Sequence, residues 1–389
     1  MKLIPYNRQL IDKFDIKFIL DASKQDLITT GIYNKKLESK AKKYFSTKYV
    51  LSCNSGTSAI FIALKGLNLK KNDVVIMPSI NFVSAANISK LLGAKIFFTD
   101  VDPYTGQMSS ENLEHCIKKN KLKKIKVVFS MYLGGSPFFV KDIFRLKKKY
   151  KFLIIEDACH ALGSKYKNKE KFIKVGSCIH SDICIFSLHP TKSITSGEGG
   201  LVLTNKKSIF DKLFLARNHG MKKKYKKNGL SFEYDITFKS LNFRLSDINA
   251  ALAYSQFFKI DKFVNQRNYL VKEYFSNFNP SKYYDLPKKK SDIKSAWHLF
   301  PIKINSSKKM KEKLILFLYK NKILTQIHYK PIYKFTAFKY LKKINKVNFV
   351  GAEEYYKKTL SVPLHLHLNA KKIAFICNKL DIFFKKNKF

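Results

Sequence analysis

Between residues 48 and 217 the chain alternates short β-branched apolar runs with longer stretches whose apolar positions recur at helical spacing. The runs Lys48–Ser52, Asp73–Pro78, Lys95–Thr99, Lys126–Ser130, Phe152–Ile155, Ile183–Leu188 and Gly199–Thr204 read as strands. Ala59–Leu67, Phe82–Leu92, Ser110–Lys119, Phe139–Tyr150 and Lys206–Arg217 read as helices. Strand alternating with helix predicts an α/β domain with a mostly parallel sheet, in which ligands bind beyond the carboxyl ends of the strands. Residues 1–45 read as a lead-in segment and a helix, with a turn at Ile28–Gly31. Arg217–Gly220 closes a helix and a basic loop, Lys222–Gly229, follows. A long helix starts at Asp247, and Asn279–Ser295 reads as an exposed connector. Beyond it, strand His298–Ile304, helix Lys308–Asn321, strand Ile323–His328 and helix Ala370–Phe384 predict a small α/β domain. The division falls between residues 1–255 and 256–389.

Three stretches at strand ends carry candidate chemistry. Asn54-Ser55-Gly56-Thr57-Ser58 joins a strand to a helix, a geometry whose free N–H groups and hydroxyls hold an anion, usually phosphate, though it also describes an ordinary N-cap. Asp157, just past a buried strand, needs a partner, because desolvating a lone carboxylate is costly. It could cap a following helix or face a protonated ring nitrogen; His160, three residues on, shares its face if a helix begins there. In Phe186–Gly200, FSLHPTKSITSGEGG, Lys192 stands alone among hydroxyls between apolar strands. A lysine so placed is partly desolvated, which favours the neutral amine that reacts with carbonyls.

Composition changes the picture in one respect. There are 75 Lys+Arg against 28 Asp+Glu, a net charge of +47, which raises a nucleic-acid reading. The excess is mostly lysine spread along the whole chain, without a zinc finger, an RNP-type motif or a basic tail, so nucleic acid is not expected as a partner. The charge would help attract an anionic small substrate. The six cysteines show no CxxC pair and no ligand-like spacing with histidine; reduced buried thiols and no metal are expected. Neither a membrane-length apolar run nor a signal peptide is present, which gives a cytoplasmic expectation.

Taken in chain order, Gly56-Thr57-Ser58, Glu156-Asp157-Ala158-Cys159-His160, the Lys192 loop and Asn242/Arg244 resemble the motifs of the DegT/DnrJ/EryC1/StrS sugar aminotransferases. The likeness runs from Ile4–Gln9 to the C-terminal helix, and the Lys192 loop is its most specific part. The resemblance implies a pyridoxal 5'-phosphate (PLP) enzyme of fold type I: a large domain with a mostly parallel seven-stranded sheet and a small C-terminal α/β domain. Lys192 matches the lysine that carries the cofactor and shuttles a proton, Asp157 the carboxylate that keeps its ring nitrogen protonated, and His160 the residue near its phenolate. Gly56, Thr57, Ser58 and Ser187 match the phosphate site, and Phe82 the aromatic stacked on the ring. Asn242 matches an asparagine reaching the neighbouring subunit's phosphate, which implies a homodimer with shared sites. Tyr6, Arg217, His328 and Tyr329 are candidates for sugar or diphosphate contacts. Gln326–Phe335 and Ser361–Asn369 resemble members of the pseudaminic acid pathway, which move an amino group from L-glutamate to C4 of a UDP-linked 4-keto-6-deoxy sugar. A GDP- or dTDP-linked keto-sugar, or a non-catalytic regulator on the same fold, are the alternatives. Cys159 departs from the pattern, standing where many members have alanine or serine.

Overall fold

The strands β1 (Tyr49–Cys53), β2 (Val74–Pro78), β3 (Lys95–Thr99), β4 (Val127–Met131), β5 (Leu153–Asp157), β6 (Lys165–Asn168), β7 (Lys171–Lys174), β8 (Ile183–Ser187) and β9 (Gly200–Thr204) span the first half of the protein. They belong to a computed structural model that describes residues 2–224, 233–278 and 283–387. Seven of them form one sheet in the order β1-β9-β8-β5-β4-β2-β3. β8, β5, β4, β2 and β3 are parallel, and β9 runs antiparallel between β8 and β1. The central strands β4, β8 and β9 are buried at every position. Both faces are covered by helices, which is why these strands read as continuous apolar runs. Helices Gly56–Gly66, Ser84–Leu91, Ser110–Lys119, Val140–Tyr150 and Lys207–Arg217 lie where periodicity predicts them, within a residue or two except at the start of the first, Gly56 against Ala59.

Several expectations need correction. Residues 1–45 hold two helices, Lys13–Ser23 and Ile32–Phe45. The first is started by a reciprocal Asp12/Asp15 capping box. No helix follows β5, so neither Asp157 nor His160 is held by one. β6 and β7 form a hairpin that pairs with Ile293–Lys294 of the expected connector; its apolar face, Tyr166 opposite Ile173, is too short among lysines for periodicity to reveal. Tyr284–Asp285 of the same connector pairs with Ile304–Lys303, and residues 279–282 lie outside the described residues. The basic loop opens as a strand, Met221–Lys224, paired with Glu233–Ile236, while its residues 225–229 lie outside the described residues.

Ile323–His328 is not a strand. Ile323 bridges Ile4 and Gln326 bridges Ser361, so its backbone groups are shared between two chain segments and no ladder propagates. The partner of Phe300–Ile304 is instead Thr359–Val362.

One apolar cluster covers the β2–β5 side of the large sheet and takes in Ile332, Tyr333, Phe349 and Tyr355 from the C-terminal half. A second packs the two N-terminal helices and Asp247–Phe257 against β8 and β9. A third joins Ile4, the end of helix Ile260–Asn277, Phe300–Ile304 and helix Ala370–Lys386.

Candidate active site

A cavity of about 560 Å³ opens beyond the carboxyl ends of β4, β5 and β8. Among the residues lining it are Tyr6, Gly56, Thr57, Phe82, Asp157, His160, Ser187, Lys192, His328 and Tyr329, all singled out from the sequence. They arrive from six separate stretches of chain.

The phosphate-type cradle is built at the start of helix Gly56–Gly66. Ser55 is its N-cap and accepts the Ser58 N–H at 3.0 Å. Ser58 donates its hydroxyl to Asn54 at 2.5 Å and does not line the cavity. Thr57 and Ser84 hydroxyls lie 2.9 Å apart across the mouth, and Ser187 faces the helix start. A Cβ on Gly56 would sit 2.9 Å from Ser187 Cβ, so only glycine lets the helix start approach the end of β8 this closely. The arrangement offers free N–H groups, hydroxyls and the positive end of a helix to an anion.

Asp157 ends β5 and is buried. Strand alternation turns Glu156 the opposite way, where it accepts the Tyr132 hydroxyl at 2.7 Å. Burial raises the Asp157 carboxyl above the usual range, opposed by the Cys159 groups and by the Lys192 charge. Burial likewise lowers the Lys192 ammonium below its ordinary value, against the pull of Cys159 and Asp157. Lys192 has no salt bridge among the described residues, so its amine is not committed elsewhere. Its loop is rigidly held: Leu188 N–H reaches Gly199 O at 2.8 Å, Ser196 N–H reaches Leu188 O at 2.9 Å, and Asn249 Nδ2 reaches Ser196 O at 2.7 Å. Asn7 donates to Thr191 O at 2.9 Å, and Leu364 N–H donates to Tyr6 O at 3.1 Å. These two bonds bring the N-terminal segment over the loop and set Tyr6 in the wall.

His160 is buried, with Nδ1 accepting the Gly134 N–H at 3.3 Å and Nε2 3.1 Å from Tyr329 Oη. His298 packs against it with ring centroids 4.2 Å apart. Burial holds both imidazoles well below their usual range. Phe82 is 55% exposed, its ring 5.9 Å from that of Tyr329, free to face a planar ligand.

Besides Ser58, two candidates lie outside the cavity of this chain. Arg217 pairs with Glu38 at 2.8 Å and bonds Ser52 O at 3.2 Å. Asn242 is exposed, and its side chain accepts the Arg244 N–H at 3.1 Å. Sequence reasoning missed Ser84, His189, Thr191, Glu198 and Gln326 as lining residues, and His298 behind His160. Ser84 carried a usable signal, a hydroxyl at a helix start after a strand; His298 carried none, because only tertiary packing sets it against His160. Cys159 also lines the cavity, and its thiol is raised well above the usual range by burial, so it is not a nucleophile.

A buried carboxylate, a lysine with a depressed pKa and an anion cradle converging on one cavity fit a planar, phosphorylated carbonyl cofactor with a ring nitrogen to be protonated. Asp157 suits that nitrogen, Lys192 the carbonyl, and the Ser55–Thr57 helix start with Ser187 the phosphate. The sequence agrees with this class: residues 9–381 match the model of the DegT/DnrJ/EryC1/StrS aminotransferase family, and the protein belongs to it. It is a PLP-dependent aminotransferase of the sugar-modifying kind. Among its relatives is the UDP-4-amino-4,6-dideoxy-N-acetyl-beta-L-altrosamine transaminase of Campylobacter jejuni serotype O:23/36, 34% identical over 99% of both chains. Among solved structures, Helicobacter pylori PseC, an aminotransferase of pseudaminic acid biosynthesis, superposes with a TM-score of 0.88 at 29% identity, covering 99% of this chain and 100% of that one. The sugar aminotransferase Spr1654 of Streptococcus pneumoniae in its PLP form superposes with a TM-score of 0.89 at 25% identity, covering 100% of both. Among the described residues no helix is long and apolar enough to cross a membrane.

Proposed function

We propose that the protein transfers an amino group from L-glutamate to the C4 keto group of a UDP-linked 4-keto-6-deoxy sugar, UDP-2-acetamido-2,6-dideoxy-L-arabino-hexos-4-ulose. The observation that carries the transfer chemistry is the convergence of Lys192, Asp157 and the Gly56–Thr57 helix start on one cavity. The choice of sugar rests on the full-length likeness to the C. jejuni and H. pylori proteins.

Bound in this cavity, PLP supplies an electron sink for the bonds made and broken at the amino-bearing carbon. Asp157, kept out of water, holds a proton on the ring nitrogen facing it. Lys192 would hold the cofactor's carbonyl group and would serve as the base that moves a proton at the amino-bearing carbon, burial favouring its neutral amine. Ser55, Thr57 and Ser187 would orient the phosphate, and Phe82 would cover the ring and limit water. Tyr6 and His328 would face the sugar, and Tyr329 stands between His160 and the cavity.

We further propose a homodimer with shared sites and a cytoplasmic location. Leu27, Ile28 and Ile32 are 62%, 51% and 44% exposed, an apolar loop that Thr29 bridges to Ser246, close to Asn242. A second copy of the chain covering that loop would bring Asn242 towards its partner's phosphate site. We place the domain division at 255/256, in the last turn of helix Asp247–Phe257, just before helix Ile260–Asn277 leads from the second apolar cluster into the third; Ile4 and segment 332–355 reach back across it.

The test is an absorbance spectrum of the purified protein with added PLP, before and after L-glutamate, for wild type and Lys192→Ala. A visible band that depends on Lys192 and is bleached by glutamate supports the reading, and keto-sugar nucleotides are then compared by which one restores the band. Turnover by a folded Lys192→Ala protein at the wild-type rate would sink it; a positioned acid–base group typically contributes ~10²–10⁴-fold.

A further inference from the structure

The hydrogen bonds around His160 decide which group presents a proton to the cavity. A neutral imidazole carries one N–H, and the nitrogen that accepts a bond cannot be the one that donates. His160 Nδ1 accepts the Gly134 N–H at 3.3 Å, so the ring proton sits on Nε2. Nε2 lies 3.1 Å from Tyr329 Oη and therefore donates to it. The phenol oxygen is thus used as an acceptor on the His160 side, and its own hydrogen must point elsewhere. Among the described residues Tyr329 Oη makes no other hydrogen bond, and the side chain lines the cavity beside Asp157 and Lys192.

We propose that Tyr329 is a further catalytic residue: its hydroxyl donates into the cavity, to the phenolate oxygen of the bound cofactor. His160 is then a positioning residue, one bond behind, that orients the phenol and strengthens it as a donor. This rests on the reading of the cavity as a PLP site and assigns within it the donor that the family resemblance leaves to His160.

The surroundings keep the relay in this state. His160 is flanked by His298 at 4.2 Å and His328 at 6.5 Å between ring centroids, with Lys192 in the same cavity. Burial comes first and the Lys192 charge second in keeping His160 neutral. Burial also raises Tyr329 well above the ordinary phenol range, so it stays protonated. His328 is tied to Ser361 through Nδ1 at 2.9 Å and does not compete for Tyr329 Oη.

Two measurements test the proposal. In protein without cofactor, ¹⁵N NMR of the histidine side chains should show His160 with an unprotonated Nδ1 and a protonated Nε2; the opposite tautomer overturns the proposal. In PLP-loaded protein, the midpoint of the pH titration of the visible band should rise by about one to two pH units in Tyr329→Phe, the range expected for losing one hydrogen bond to a charged oxygen. His160→Leu should move it in the same direction, and the double variant no further than Tyr329→Phe, because the two act in series. Additive shifts, or a Tyr329→Phe midpoint equal to wild type, overturn it. A wild-type protein that gives no band with PLP overturns both this inference and the cofactor reading, whereas a normal wild-type band with an unmoved Tyr329→Phe midpoint overturns this inference alone.

Discussion

Replacing Asp247 by alanine tests whether the cofactor cradle depends on a buried clamp two elements away. Asp247 is fully buried at the start of helix Asp247–Phe257. One carboxylate oxygen accepts from Asn34 N–H at 2.7 Å and Asn34 Nδ2 at 2.9 Å, and the other accepts the Gly31 N–H. Gly31 is the N-cap of helix Ile32–Phe45 and has no side chain to cap it. Asp247 therefore caps that helix from outside, placing negative charge at its positive end. The same helix carries Glu38, which accepts Ser52 N–H at 2.9 Å, Ser52 Oγ at 2.8 Å and Arg217 at 2.8 Å. Ser52 is two residues before Asn54, where the cradle begins. Asp247→Ala strips three buried donors of their acceptor. At ~1–3 kcal/mol for each buried group left unpaired, and allowing for coupling between neighbours, the loss is ~3–6 kcal/mol. An unfolding entropy of ~2.1 cal/mol/K per residue gives roughly 0.8 kcal/mol/K for this chain, so Tm falls by roughly 4–7 °C. Thermal melts followed by circular dichroism measure this, with Asp247→Asn, which keeps one acceptor oxygen, losing about half as much. PLP affinity, measured by equilibrium dialysis, should weaken in the same order. An Asp247→Ala protein melting within about 1 °C of wild type would refute the clamp.

Three further outcomes are expected. Gly56→Ala puts a methyl 2.9 Å from Ser187 Cβ and 3.3 Å from its Oγ; separating the two should weaken PLP roughly tenfold, about 1.4 kcal/mol, by dialysis. Unchanged affinity would mean that the helix start and Ser187 do not share a ligand. Burial depresses His365 to about 4 and His328 to about 3, so below an unfolded pKa of ~6.5 the unfolded chain takes up protons that the folded one refuses. Stability is therefore full above that pH and lost as pH falls, and His365→Asn should remove on the order of 2–3 kcal/mol of the decline between pH 7 and 4 in denaturant titrations. With a net charge of +47, raising salt from ~0.05 to ~0.5 M should increase KM for the anionic nucleotide sugar several-fold and leave kcat unchanged; a flat KM would show that the charge plays no part in capture.

Local chemistry was readable wherever a short stretch contains its own reason. Asn54–Ser58 announces a helix start with free N–H groups, the apolar runs announce buried parallel strands, and Lys192 stands out because no other lysine stands beside it. Even so, the Lys192 loop and Asp157 meet only because β5 and β8 pair with Asp157 opposite Ile185. The hairpin at residues 165–174 was missed because its apolar face is only Tyr166 opposite Ile173 among lysines, and Ile323–His328 was overread because an apolar run looks like a strand whether its partners form one ladder or two separate bridges. Residue types, their order and the half-buried lysine loop were thus properties of the sequence itself. What only the tertiary structure decided are relations between distant groups: Asp247 capping the helix that starts after Gly31, 216 residues earlier in the chain, the Gly134 N–H choosing the His160 tautomer, and His298 and Tyr329 closing on that ring. Hydrogen-bond direction and burial depend on which atoms meet in space, and neither leaves a periodic trace along the chain.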